Sequence, residues 1–125
     1  MREYIKKKRG IKNTQSENVD VSIHMNKSGV IDGIQRYSVV VSMKKEVMEK
    51  ITDTGFVLVS HDREKKRMYF EAGNGENGYK IGFPKDCRRF YFRFNASDPL
   101  YFSKFNGAYN LEFDEEEHLY YIDAK

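Results

Sequence analysis

The 125-residue sequence predicts a strand-rich α+β domain built from two tandem strand–helix–hairpin units related by a pseudo-twofold. Three observations lead there. The chain holds nine Tyr, nine Phe and no Trp, many of them alternating with polar residues as in half-buried strands. It has only two prolines and one segment with a clear helical stripe. Two hairpin-like stretches, "GFVLVSHDREKKRMYFEA" from Gly55 and "GAYNLEFDEEEHLYYIDA" from Gly107, also superpose without gaps at an offset of 52 residues. They agree at the opening Gly, the turn Asp and Glu, a strand Tyr and the closing Ala, five identities in 18 positions.

The elements follow in order. Residues 1–18 form a basic, flexible arm, and the first unit spans 19–72. "VDVSIH" alternates Val19, Val21 and Ile23 inward with Asp20, Ser22 and His24 outward. "MNKSG" is expected as a turn at Gly29, and Asp32-Gly33 as a second turn or a bulge. "RYSVVVS" is the next strand, with Tyr37, Val39 and Val41 on one face. Ser42 stands at the N-cap position before "MKKEVMEKI", a helix burying Val47, Met48 and Ile51. "TDTG" ends it. The first hairpin follows, Phe56–Ser60 and Arg67–Ala72 around "HDREKK".

"GNGENG", residues 73–78, is a loop joining two halves; without a Lys-Ser/Thr ending or a following helix it is no phosphate-binding P-loop. The second unit, 79–125, runs through "YKI", a turn at Gly82 and Pro84, and "RRFYFRF". There Phe90, Phe92 and Phe94 are expected inside, with Arg89, Tyr91 and Arg93 outside. Asp98-Pro99 caps a short helix, "LYFSKF", that buries Phe102 and Phe105. Asn106-Gly107 closes it and opens the second hairpin. The strands "RYSVVVS" and "RRFYFRF" match apolar on apolar only at an offset of 53, Val39 on Phe92 and Val41 on Phe94. A one-residue slip inverts every side chain of a strand, so a small insertion separates strand from hairpin.

Charge divides along the chain. The net charge is +3, yet residues 1–13 carry a net +5 and residues 112–125 a net −5. A basic arm suits a phosphate backbone, bound through counterion release; a solubilising terminus is the competing explanation. No apolar run approaches the ~20 residues of a membrane helix. No apolar stretch follows the basic N-terminus, so the expectation is a cytoplasmic protein without a secretory signal and without a membrane partner. The lone Cys87, flanked by Lys85, Arg88 and Arg89, can form no internal disulfide and has no His beside it. His24, His61 and His118 show no metal-ligand spacing, and His61 and His118 read as solvated turn residues. No nucleophile elbow, calcium loop or dinucleotide fingerprint is present, so the expectation is a non-enzyme needing no metal and no cofactor.

The stretch "GIQRYSVVVSMKKEVMEKI" followed by "GFVLVSHDREKKRMYF" resembles the swapped-hairpin unit of the AbrB/SpoVT family of transcription regulators and antitoxins. It has the glycine, the alternating strand, the polar helix start and the hairpin in that order. It departs from the family where Ser42-Met43 replaces a Pro before the helix and where Thr54-Gly55 replaces a Gly-Asp entry to the hairpin. The resemblance covers roughly residues 29–72, more faintly 79–124. It implies DNA binding, and one chain supplying both halves of a pseudo-dimer.

The candidate nucleic-acid contacts are Lys6, Lys7, Lys8 and Arg9 in the arm, Lys27 and Arg36 in the first unit, and Lys85, Arg88, Arg89, Tyr91 and Arg93 in the second. Guanidinium groups hold phosphates and a tyrosine ring stacks a base; the plain alternative is a solvated sheet face. DNA is expected over RNA, and homodimerisation is compatible with the pattern. The alternative function is a phage- or mobile-element-encoded module that inhibits or modulates a host protein. Its exposed Tyr would anchor the interface, and its acidic hairpin, Glu115–Glu117, would imitate nucleic acid.

Overall fold

A computed structural model describes residues 19–82 and 89–124. The basic arm with Lys6, Lys7, Lys8 and Arg9, together with Lys85, Cys87 and Arg88, lies outside the described residues. Two antiparallel sheets carry the fold. Strands β1 (Val21–Ile31) and β2 (Ile34–Lys44) lead into helix α1 (Lys45–Ile51), then β3 (Phe56–Asp62), β4 (Arg67–Ala72) and β5 (Tyr79–Lys80). Strand β6 (Arg89–Asn95), helix α2 (Pro99–Phe102) and a 3₁₀ turn (Ser103–Phe105) precede β7 (Gly107–Tyr109), β8 (Glu112–Asp114) and β9 (Leu119–Asp123). One sheet has the order β6-β2-β1-β7; the other has the order β5-β3-β4-β9-β8.

The core lies between the sheets, because alternation gives each strand one apolar face. Val21 and Ile23 of β1, Val39, Val41 and Met43 of β2, and Phe92 and Phe94 of β6 are buried from one side. Val57, Met68, Phe70 and Ile122 are buried from the other, and the Phe70 and Phe92 rings meet edge to face at 6.1 Å between centroids. The expected inward face of β6 is therefore the observed one, with Phe90 partly buried against the same core. Val47, Met48 and Ile51 of α1 are buried, as are Tyr101 and Phe102 of α2 and Phe105 of the 3₁₀ turn. Asp98 caps α2 as expected, accepting from Tyr101 N at 3.3 Å with Pro99 at the first turn.

Three local expectations are corrected. "MNKSG" is not a turn: β1 runs through it with a register shift between Lys27 and Gly29, and the only reversal is the two-residue turn at Asp32 (φ 53°) and Gly33 (φ 76°). Two positive φ values match the twist of the flanking strands, so Asp-Gly closes the hairpin where Gly29 does not. Ser42 is not an N-cap. Strand β2 continues to Lys44, the helix starts without a side-chain cap, and the Ser42 hydroxyl accepts from Arg89 instead. The first hairpin is also longer than expected, since β3 extends to Asp62.

Several features recur at fixed separations. Gly55 and Gly107, 52 residues apart, both have positive φ, and so do Lys66 and His118 at the same separation. Asp62 accepts from Glu64 N and Lys65 N; Asp114 accepts from Glu116 N and Glu117 N. Strands β4 and β9 pair antiparallel with Tyr69 opposite Tyr121. Strands β2 and β6 pair with Val40 opposite Arg93, flanked by Val39–Phe94 and Val41–Phe92.

Candidate nucleic-acid interface

The outer face of the β6-β2-β1-β7 sheet is the site that the fold assembles. Because Phe92 and Phe94 turn inward, Arg93 and Asn95 turn outward and are exposed. Pairing registers place His24 of β1, Val40 of β2 and Arg93 of β6 in one row across the sheet, and Ser22, Ser42 and Tyr91 in the next. Tyr91 is half-buried, its ring lying where a side chain on Gly82 would stand: a Cβ there would be 2.6 Å from Tyr91 Cζ. Backbone bonds in both directions, Gly82 N to Tyr91 O at 2.7 Å and Tyr91 N to Gly82 O at 3.2 Å, hold the two together. The Arg93 guanidinium carbon is 5.9 Å from the Tyr91 ring centroid, at the outer limit of a cation–π contact.

Arg89 does not belong to this ridge. The expectation of a solvent-facing guanidinium is corrected by its burial to 7% exposure. Its Nε donates to Ser42 Oγ at 2.7 Å, Nη2 to Ser42 O at 2.9 Å and Nη1 to Val19 O at 2.6 Å. The side chain ties β2 to the segment before β1. Its role is structural, and the ridge reduces to Tyr91 and Arg93.

The remaining charges separate by sheet. Strands β1, β2, β6 and β7 contain no Asp or Glu, whereas the other sheet carries Asp62, Glu71, Glu112, Asp114 and Asp123. There Arg67 is gripped by Asp123 (Nε–Oδ1 2.7 Å) and Asp114 (3.3 Å), with its guanidinium carbon 3.8 Å from the Tyr121 ring centroid. The Asp123 carboxylate raises the Arg67 pKa above its already high ordinary value. Arg63 pairs with Asp98 at 3.0 Å, and that bond, helped by the Tyr101 backbone N–H, holds the Asp98 carboxyl below the usual carboxylate range. Arg36 and Arg93, by contrast, have no carboxylate partner among the described residues. Lys27 and Arg36 are exposed on the part of the β1–β2 ribbon beyond its neighbours, since β6 pairs with β2 only over Ser38–Lys44 and β7 with β1 only over Val21–Ile23.

Elsewhere the candidates disperse. His61 is no free turn residue: it lies in β3, with Nδ1 3.1 Å from Tyr101 Oη and its ring against Phe102, so it joins the first hairpin to α2. The side chain of His118 is exposed at the second turn, with its ring edge-on to Phe113. The acidic turn is partly committed internally, because backbone N–H groups of Glu117 and Glu116 and the nearby Arg67 charge hold Asp114 below the usual carboxylate range. Glu115, Glu116 and Glu117 remain exposed. Among the described residues no cluster of His, Cys, Asp and Glu could hold a metal ion, and no helix is long and apolar enough to cross a membrane. Comparison of the chain with protein-family models, with curated proteins and with solved structures returned no match.

The sequence reading missed the isolation of Arg36 and Arg93. Both look like any other arginine in the sequence. Only the register shows that Arg67 and Arg89 have polar partners and that, among the described residues, these two have no carboxylate partner.

Proposed function

We propose that the chain is a small, non-enzymatic nucleic-acid-binding protein, with the outer face of the β6-β2-β1-β7 sheet and its projecting ribbon as the contact surface. One observation carries the reading: all four strands of that sheet lack carboxylates, while Arg36 and Arg93 are exposed on its outer face and Lys27 on the other side of the projecting ribbon, none with an acidic partner among the described residues. Strands that carry cations and no carboxylates favour a polyanion, although Asp20, just before β1, pairs with Lys44. Tyr91 adds a half-exposed ring beside Arg93, suited to stacking.

The same reading takes the chain as two strand–helix–hairpin units about a pseudo-twofold, the arrangement that AbrB-like regulators make from two chains. Its support is the recurrence of Gly55 with Gly107, Asp62 with Asp114 and Lys66 with His118, and the antiparallel pairing of β2 with β6 and of β4 with β9. An antiparallel pair has a local twofold, so each of these pairings supports a symmetric relation between the two units. A DNA-binding role in transcription regulation, in the cytoplasm, follows by analogy with that family.

The test is binding of a labelled oligonucleotide across a salt series. Three phosphate contacts imply a slope of log K against log salt of about −2 to −3. The Arg36→Glu/Arg93→Glu double variant should lose most of the affinity while keeping its circular dichroism spectrum. Unchanged binding by that variant removes the sheet face as the site. A second reading, a host-protein-binding module, is favoured by exposed Phe113 (46%) on the open edge strand β8 next to the exposed Glu115–Glu117 turn. Absence of any nucleic-acid binding at low salt, with a stable protein partner, would support it.

A further inference from the structure

At the root of the projecting ribbon, an open groove of about 660 Å³ runs between the β1–β2 hairpin and the segment that follows β6. We propose that this groove takes a single unpaired nucleotide, its base laid against an apolar wall and its phosphate on Arg36. The inference rests on the nucleic-acid reading above and sharpens it: the groove makes the protein prefer single-stranded nucleic acid to duplex.

The lining has the mixed chemistry that a nucleotide needs. Ile31 (56% exposed) shares a face of the ribbon with Arg36, because Ile31 pairs with Ile34 and Gly29 with Arg36, and it gives that face an uncovered apolar wall. Val30 (65% exposed) alternates to the other face, with Tyr37. Asn95, opposite Ser38 and so on the Arg36 face, contributes an amide and Ser97 a hydroxyl, able to meet the polar edge of a base. Arg36 supplies the charge. None of these three polar side chains has a hydrogen-bonding or ionic partner among the described residues, and no carboxylate lines the groove; Asp32 stands in the turn, outside the lining.

The walls are also held in place. Ala96 N donates to Tyr37 O at 3.0 Å, pinning the segment after β6 to the ribbon. Gln35 Nε2 donates to Gly29 O at 3.0 Å and Arg36 O at 2.8 Å, bracing the bulge behind the apolar wall. A base paired within a duplex cannot present its face to such a wall. An unstacked one can, and base–side-chain stacking tolerates any sequence.

The experiment compares fluorescence anisotropy titrations of the full chain with labelled oligothymidylate, oligouridylate and a duplex of equal length, at one fixed salt. Either single strand should bind about tenfold or more tightly than the duplex. A control with oligodeoxyuridylate, which differs from oligouridylate only in the sugar, shows which sugar the groove takes. Ile31→Asp places a carboxylate in the groove at an exposed position, and Asn95→Ala removes the amide; each should abolish the single-strand preference and leave duplex binding in place. In two-dimensional NMR, a short oligothymidylate should shift amides of residues 28–31, 36–37 and 95–97. Equal affinity for strand and duplex, or unchanged preference in both variants, overturns the groove proposal while phosphate binding by the sheet stands. Absence of binding to all three probes overturns the nucleic-acid reading itself.

Discussion

Phe92→Ala tests the packing on which the outward face depends. Phe92 is 1% exposed, paired with Val41 across β2, edge-on to Phe70 of the opposite sheet and stacked on Tyr79 at 6.4 Å. Truncation returns roughly 150 Å² of apolar surface to water or to a cavity, which at ~25 cal/mol per Å² is about 4 kcal/mol. Large-to-small aromatic substitutions in cores cost about 3–5 kcal/mol, so the two estimates agree. The assay is urea unfolding followed by far-ultraviolet circular dichroism. Against a total stability of about 5–15 kcal/mol, the midpoint should fall by one molar urea or more. Phe113→Ala is the control, since Phe113 is 46% exposed, and should cost less than about 1 kcal/mol. A cost below about 1 kcal/mol for Phe92→Ala, or an equal cost for both, would mean that β6 presents its other face to the core. The assignment of Arg93 to solvent would fall with it.

Further outcomes follow from the same geometry. Arg89→Met should destabilise by about 2–4 kcal/mol, because it leaves the carbonyls of Ser42 and Val19 without their charged donor, and should leave oligonucleotide affinity nearly unchanged at temperatures where the variant is folded. Arg93→Met should do the reverse: stability within about 0.5 kcal/mol of the parent and weaker binding. If the two variants behave alike, the distinction drawn between these arginines is wrong. Lys66→Val and His118→Val should each cost about 1–2 kcal/mol, because a β-branched side chain is strained at φ 55° and 57°; no loss at either would contradict the left-handed turn. Acid should also weaken the fold. Asp98 and Asp114 have folded pKa values below their unfolded value of about 3.9, so their contribution is present above that pH and disappears as pH falls through the folded values. Asp114→Asn should flatten the acid limb of stability measured between neutral pH and pH ~2.5; an unchanged limb would show that Asp114 is not held by its turn.

Much of the local structure was legible because it rests on short-range rules. Alternation placed Phe92 and Phe94 inward and Asp98-Pro99 marked a helix start, whereas the opening of the second hairpin stretch, Gly107–Tyr109, pairs with β1 in the other sheet. Gly29 and Ser42 misled for one reason. Each is a residue that suits a turn or a cap, and in each case strand pairing over many residues outweighed a single local preference. His61 misled because its partners, Tyr101 and Phe102, lie some 40 residues away in sequence.

By itself, the sequence determined which residues are apolar at period two and therefore which face of each strand seeks the core. Pairing between distant strands decided the fate of each charge. Arg67, Arg89, Arg36 and Arg93 are chemically the same side chain, but register puts Arg67 between two carboxylates, Arg89 against two carbonyls, and the other two on a sheet without acids. The free energy of a charge depends on what stands within a few ångströms of it, and those neighbours come from parts of the chain that only folding brings together.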